Sequence, residues 1–326
     1  MDSKFGKIAC LFPGQGSQSV GMGKDLYDNH EEAKQTFEQI DEQAGRSLSQ
    51  LCFEGPEADL KRTINTQPTI MTVSLAAWSA YKKASGPAPD YVAGHSLGEI
   101  TALVAAGVLK LDDAVKLVSK RAALMEECPP GAMAAVLKLD PAKLAEIVAA
   151  VSKERMDSGE AIDNAVCVMA NYNTREQLVI SGNPDAVKEA SKRAKEAGGK
   201  AIPLPVGGAF HSPLMHAAAV EFATVLSQCD LDDAICDVVQ NFDAKGARST
   251  SDIRAKLEQQ MENPVRWYET VEYMVSNGVR TFVEIGPGAV LTGLVKKIDS
   301  SVNIFNVSDS ASLKATVDEL RGAVAR

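Results

Sequence analysis

The chain of 326 residues is long enough for one large or two modest domains with a full core, and its 45% hydrophobic and 24% charged content is globular rather than disordered. A formal charge of −9 argues against nucleic acid as a partner, because neutralising phosphates takes a basic surface, but it leaves room for small anions held by a local cation. Six scattered cysteines (10, 52, 128, 167, 229 and 236), with neither C-x-x-C nor metal spacing, fit reduced thiols in a cytoplasmic protein and no metal site.

Met1-Asp-Ser-Lys4 runs straight into an apolar strand, Lys7 to Phe12, with neither a signal-peptide layout nor a membrane-length span. An intracellular protein with no membrane partner is expected. Gly14-Gln-Gly-Ser-Gln18, Gly21 and Gly23 follow. This loop lacks both Gly-Lys-Ser/Thr and the third glycine of a dinucleotide fingerprint. It reads as a loop bringing backbone and Gln15 to a ligand, and equally well as a plain connection. Asp25 to Gln50 is polar with a helical period, and Thr66-Gln67-Pro68 restarts a helix at Pro68 that runs Thr69 to Lys83.

The most informative stretch is Val92-Ala-Gly-His-Ser-Leu-Gly-Glu99. It carries the pattern G-x-S-x-G between an apolar strand and a helix of small and apolar residues stopped by Gly107. Strand, tight turn and helix are the setting of a nucleophile elbow, with Ser96 at its tip. The helix start leaves N–H groups beside the serine, where negative charge can develop on a reacting carbonyl.

In the next helix, Asp112 to about Glu127, one broad face collects Ala114, Leu117, Val118, Ala122, Leu124, Met125 and Cys128. Arg121 sits near the middle of that face. A guanidinium there must find a partner, since an unpaired buried charge is very costly. A functional role and a structural ion pair both satisfy that demand.

Pro129-Pro-Gly131 marks a boundary. Beyond it come a strand Ala132 to Leu139, a helix from Pro141 to about Lys153 and a polar connection from Ser152 to Ala165. Two strands then flank an Asn171-Tyr-Asn-Thr turn, and a helix capped by Asn183-Pro184 leads to the strand Lys200 to Leu204. The order βαββαβ is the ferredoxin-like unit. Residues 130–205 are therefore expected as a small inserted subdomain, within a large α/β domain made of 1–129 and 206–326.

Of the four histidines, His211, in a glycine-rich entry to an apolar helix, is the best candidate for a general base; a capping or packing role is the simpler alternative. Helices and apolar strands alternate to the end, with Asn263-Pro-Val-Arg-Trp267 between two of the helices.

Taken with Phe12-Pro-Gly-Gln-Gly-Ser-Gln18, Gly94-His-Ser-Leu-Gly-Glu99, Arg121, Phe210-His-Ser-Pro-Leu-Met215, Asn263-Pro-Val-Arg-Trp267 and Glu284-Ile-Gly-Pro-Gly288, the chain resembles the malonyl-CoA:acyl-carrier-protein transacylases of bacterial type II fatty acid synthesis along nearly its whole length. The resemblance implies an α/β-hydrolase-like core with a parallel sheet and a ferredoxin-like insert. It implies Ser96 as nucleophile and His211 as base, with the backbone N–H groups of Leu97 and Gln15 as oxyanion donors. The backbone carbonyl of Gln260 would orient the histidine, and Arg121 would hold the free carboxylate of malonate. Phe210 is similar to the residue of malonyl-selecting acyltransferases, and Gln67 and Asn171 are counted with Gln15 among the substrate contacts. No cofactor is implied; malonyl-CoA is the donor, phosphopantetheinylated acyl carrier protein the partner, and a monomer is expected. Lys296, Lys297 and Arg280 are candidate cations for that carrier. A serine thioesterase or esterase, an idle acyl-binding module, and an acyltransferase of a polyketide-type assembly line are the competing readings. A hydrolase has no use for a buried arginine facing the acyl group, and an idle module none for the serine and histidine.

Overall fold

The computed structural model describes residues 5–322, so the reading of Met1-Asp-Ser-Lys4 falls outside the described residues. Ten strands occur among them: β1 Lys7–Phe12, β2 Tyr91–Gly94, β3 Ala132–Leu137, β4 Cys167–Thr174, β5 Gln177–Gly182, β6 Lys200–Pro203, β7 Asp237–Val239, β8 Gly246–Ala247, β9 Val279–Ile285 and β10 Asn303–Val307. The larger sheet has the order β10-β9-β1-β2-β7-β8. It is parallel from β10 to β7, with the short β8 antiparallel at one edge.

The unbroken apolar run of β1 follows from cover on both faces. Cys10 and Phe12 join the core on one side with Val92 and Ile285, while Ala9 and Leu11 join Ala93, Phe282 and Trp267 on the other. Alternate residues serve opposite layers, as the two-residue period of a strand requires.

The second sheet, β4-β5-β3-β6, is antiparallel throughout. Helices Pro141–Asp157 and Pro184–Glu196 pack on it and close a separate core around Val136, Leu144, Val148, Ile180 and Val187. The chain enters and leaves this unit at one point, where the Gly131 N–H donates to the Gly207 carbonyl at 2.8 Å.

Several local expectations are corrected. The stretch from Asp25 to Gln50 is broken into the helices Lys24–Asn29 and Glu31–Ala44 and the start of Leu48–Glu54. The buried helix begins at Thr63 rather than Pro68, and Pro68 lies inside it. Proline lacks the N–H that would bond the carbonyl four residues back. Here that carbonyl, Ile64 O, accepts instead from Arg46 Nη2 at 2.9 Å. The expected connection 152–165 is largely helical, since Pro141–Asp157 continues through its start and a short helix Ile162–Ala165 closes it. Asn171 to Thr174 is strand rather than turn: β4 runs through it with register shifts at Met169/Asn171 and Tyr172/Thr174, which admit a polar run into a strand. No helix among the described residues is long and apolar enough to cross a membrane.

Candidate active site

The parallel strands of the larger sheet all deliver their C-terminal ends to one edge, and β2 ends there in Gly94-His-Ser-Leu-Gly98. Ser96 has φ 52° and ψ −107°, a conformation costly for any residue with a Cβ, and the helix Leu97–Ala105 starts immediately after it. Close packing accompanies the strain. A Cβ on Gly98 would stand 2.0 Å from the Phe12 carbonyl of β1, and one on Gly14 would stand 2.3 Å from the His95 carbonyl. Glycine at both places lets the helix and the Gln15 loop close on the serine.

Ser96 Oγ lies 2.8 Å from His211 Nε2 and 3.0 Å from Arg121 Nη2. His211 precedes a short turn of helix, Pro213–Met215, capped by Ser212, and is itself buried. Its Nδ1 faces two backbone carbonyls, Gln260 O at 3.0 Å and Asn263 O at 3.1 Å. Carbonyls only accept, so the ring proton belongs on Nδ1 and the lone pair of Nε2 faces the serine. Gln260 stands at the end of the helix Thr250–Gln259, where last-turn carbonyls are left free.

Arg121 comes from the helix Leu111–Glu126 and is 1% exposed, in the apolar face where the periodicity put it. Its Nη1 donates to Gln67 Oε1 at 2.8 Å and its Nη2 to Gln260 Oε1 at 3.0 Å. Gln67 Nε2 turns the other way, 3.1 Å from Met125 Sδ. Arg121 Nε is buried without a partner. An orphaned donor of a buried cation beside a serine is a place for an acceptor from outside the protein.

A cavity of about 120 Å³ opens over this group, and its lining includes Gln15, Gln67, Leu97, Arg121, Asn171 and Phe210. Every expected site residue is thus gathered here, with Gln260 immediately behind. Among the described residues nothing accepts from the backbone N–H of Leu97 or Gln15. Met125, Met133, Leu204 and Val206 complete the apolar wall and carry no sequence signal that separates them from core. Asn241 and Asn263 were also missed. Only the Asn263-Pro-Val-Arg-Trp267 motif pointed near either. Two other histidines are engaged elsewhere, His30 with Ser310 and His216 with Glu262, while His95 bonds Asn173 Oδ1 at 2.8 Å.

Arg280 is removed from the carrier-facing candidates. It stands at the start of β9, the sheet end opposite Ser96, and its Nη1 donates to the carbonyls of Val275 and Val279. Lys296 and Lys297 lie in the last turn of the helix Val290–Ile298, which leads back to the start of β10 beside Thr281, the same sheet end as Arg280; Lys297 lines a cleft of about 570 Å³ there with Lys138 and Arg175.

Burial, reinforced by the charge of Arg121, presses the His211 imidazole down to about 3. Burial also lowers Arg121 to about 10, with Glu99 opposing, so the guanidinium stays charged at neutral pH. The neutral imidazole therefore favours the folded state above pH 6.5, and this contribution is lost as pH falls toward 3. The His211 ring, followed by nitrogen NMR, is expected to stay neutral from pH 8 to 5. A titration near the ordinary 6.5 would contradict its burial beside Arg121.

A serine in this setting, on a parallel sheet covered on both faces, belongs to the acyl-transferring enzymes, and the family model described as the acyl transferase domain matches residues 10–315. A malonyl CoA-acyl carrier protein transacylase of Bacillus subtilis is 44% identical over 319 residues, covering 97% of this chain and 98% of that protein. Among solved structures, an acyl carrier protein S-malonyltransferase of Vibrio cholerae superposes with TM-score 0.89 at 40% identity, covering 95% of this chain and 99% of that one. A malonyl-transacylase in complex with a type II PKS acyl-carrier protein does so with TM-score 0.90 at 38% identity, covering 96% and 99%. The chain belongs to the malonyl-CoA–acyl carrier protein transacylase family of acyltransferases.

Proposed function

We propose that this chain moves the malonyl group from malonyl-CoA to the phosphopantetheine thiol of acyl carrier protein through a malonyl-Ser96 intermediate, supplying fatty acid synthesis. The observation that carries the reading is the position of Ser96 Oγ between a neutral imidazole and a buried guanidinium, 2.8 and 3.0 Å away. His211 Nε2 takes the serine proton as Oγ attacks the thioester carbonyl. The oxyanion meets the N–H groups of Leu97 and Gln15, which have no other acceptor among the described residues. CoA leaves as the thiol, with the proton returned from the imidazolium. The carrier's thiol then attacks the malonyl ester, giving its proton to His211, and the transferred group departs as Ser96 recovers its hydroxyl. Gln260 and Asn263 hold the ring through their carbonyls, and Arg121 grips the distal carboxylate with Gln67 steadying it. Phe210 and Asn171 bound the acyl pocket. Nucleophile, base and oxyanion donors all come from the chain, so the reaction requires no cofactor.

In this reading the fold is an α/β-hydrolase-like domain, 1–129 with 206–326, carrying a ferredoxin-like subdomain, 130–205. The strand order β4-β5-β3-β6 and the exit and return at Gly131 and Gly207 support that division. Six free cysteines fit a cytoplasmic setting, and a monomer suffices because one chain supplies the whole site.

Intact-protein mass spectrometry tests the reading. Malonyl-CoA is expected to leave a malonyl adduct on Ser96 that discharges onto phosphopantetheinylated carrier protein. An adduct lost only to water would favour a thioesterase. Comparing a fatty-acid carrier with a polyketide carrier as acceptor separates the two assembly-line settings.

A further inference from the structure

Behind the nucleophile lies a group of buried polar side chains that the transfer chemistry above does not use. Asn241, 1% exposed, follows β7, the strand beside β2 in the sheet. Its Oδ1 accepts from the Ser96 N–H at 2.8 Å, and its Nδ2 donates to the Gly94 carbonyl at 2.7 Å. One side chain therefore spans both sides of the strained turn. The backbone N–H of Asn241 is in turn held by Glu99 Oε2 at 2.7 Å. Glu99 is fully buried in the first turn of the helix that follows the serine, and its Oε1 also takes Gln240 Nε2 at 3.2 Å.

We infer that Asn241, anchored by Glu99, is a positioning residue that holds the Ser96 backbone in its reactive conformation. The argument rests on what the turn would do without it. A residue at φ 52° and ψ −107° keeps that conformation only where its surroundings over-determine it. The Ser96 N–H and Gly94 carbonyl are the backbone groups flanking His95, and neither could reach a regular strand or helix partner from this turn. Asn241 supplies an acceptor to one and a donor to the other from two separate atoms; an ionised aspartate has no donor, and a hydroxyl would have to serve both partners from a single atom. It also takes up the Ser96 N–H, leaving Leu97 as the elbow's donor toward a developing oxyanion. Glu99 fixes the loop that carries Asn241 and belongs to the same helix as Leu97, so the clamp and the donor move as one body. Burial pushes the Glu99 carboxyl up to about 6, and the donors around it oppose that shift. A carboxylate retained at such cost is consistent with a positioning task.

This inference rests on the reading of Ser96 as nucleophile, and the test separates the two. A fluorophosphonate probe labels an activated serine without using malonate, CoA or a carrier protein. If wild-type protein fails to label at Ser96, the nucleophile itself is misassigned. With labelling established, Asn241→Ala is expected to slow it by about 30-fold or more and to lower kcat for malonyl transfer by about 100-fold, the scale of an ångström of misplacement. KM for malonyl-CoA should stay within about threefold, since Arg121 and its partners are untouched. Glu99→Gln, which keeps an oxygen for the Asn241 N–H, should retain activity within about fivefold, whereas Glu99→Ala should resemble Asn241→Ala. If Asn241→Ala does not fold, Asn241→Ser, too short to span both partners, carries the same expectation. Wild-type labelling rates in folded Asn241 variants, or a rise in KM with kcat unchanged, would overturn the inference.

Discussion

Alanine in place of Ser96 is expected to leave the chain folded and unable to take up a malonyl group. The substitution removes one oxygen that bonds His211 Nε2 and Arg121 Nη2, both of which border the cavity and can turn to water. Alanine keeps the Cβ, so the strain of the turn is unchanged and the clamp from Asn241 still closes on the same backbone atoms. Stability should therefore move by no more than about 1 kcal/mol, a shift of about 1–2 °C in Tm for a chain of this size. Activity has no such reserve. Without an Oγ no ester forms, and a direct transfer from CoA to a carrier thiol would need both substrates in a cavity of about 120 Å³. A fall on the order of 10⁵-fold or more is expected, as for other serine nucleophiles. Intact mass after incubation with malonyl-CoA reads the result directly. An adduct on the alanine variant would place the nucleophile elsewhere and remove the central role given to Ser96.

What could be read from the amino-acid order, and what could not, follows from the distance over which each feature is encoded. The elbow was legible because its requirements are local: Gly94 and Gly98 stand two residues either side of Ser96, between a strand and a helix. Arg121 was legible because a helical period puts a cation on an apolar face, and the structure buries it there among Gln67, Ser96 and Gln260. The start of the antiparallel sheet at Ala132 was legible from Pro129-Pro-Gly131 and the change of period after it. Asn241 was not legible, since its partner lies 145 residues away and no local pattern marks a side chain that bridges two backbone groups. The carbonyls that orient His211 are backbone atoms, which any residue could supply. Gln260 was reached only through a resemblance, and Asn263 not at all as an acceptor. Polar residues misled twice. Thr66-Gln67-Pro68 looked like a helix start because the guanidinium that relieves Pro68 comes from Arg46, and Asn171 to Thr174 looked like a turn because bulges in β4 accommodate them.

Arg121→Ala is expected to remove most of the preference for malonyl over acetyl groups while sparing the fold. The guanidinium already costs the protein desolvation, seen in its lowering to about 10, and its Nε has no partner among the described residues. A carboxylate arriving from malonyl-CoA would offer charge-assisted acceptors to that edge, each worth about 1.5–3 kcal/mol. Two such bonds amount to about 3–6 kcal/mol, so kcat/KM for malonyl-CoA should fall by about 10²–10⁴-fold. Acetyl-CoA never made those bonds and should lose far less. The intact enzyme is expected to use acetyl-CoA poorly, because the acetyl group leaves a buried cation unpaired, and that penalty disappears with the side chain. Arg121→Lys should fall between the two, because a point charge on a flexible stem cannot present a planar fork. Loss of the guanidinium leaves the amide oxygens of Gln67 and Gln260 facing an enlarged cavity that water can enter, so folding should survive. It also withdraws a positive charge that holds His211 neutral, so the imidazole of this variant should bind its proton at a higher pH than in the wild type. Competition between malonyl-CoA and acetyl-CoA for the same enzyme, read as the ratio of acyl groups on the carrier protein, measures the effect. A wild-type ratio in folded Arg121→Ala would show that the carboxylate is recognised by some other group.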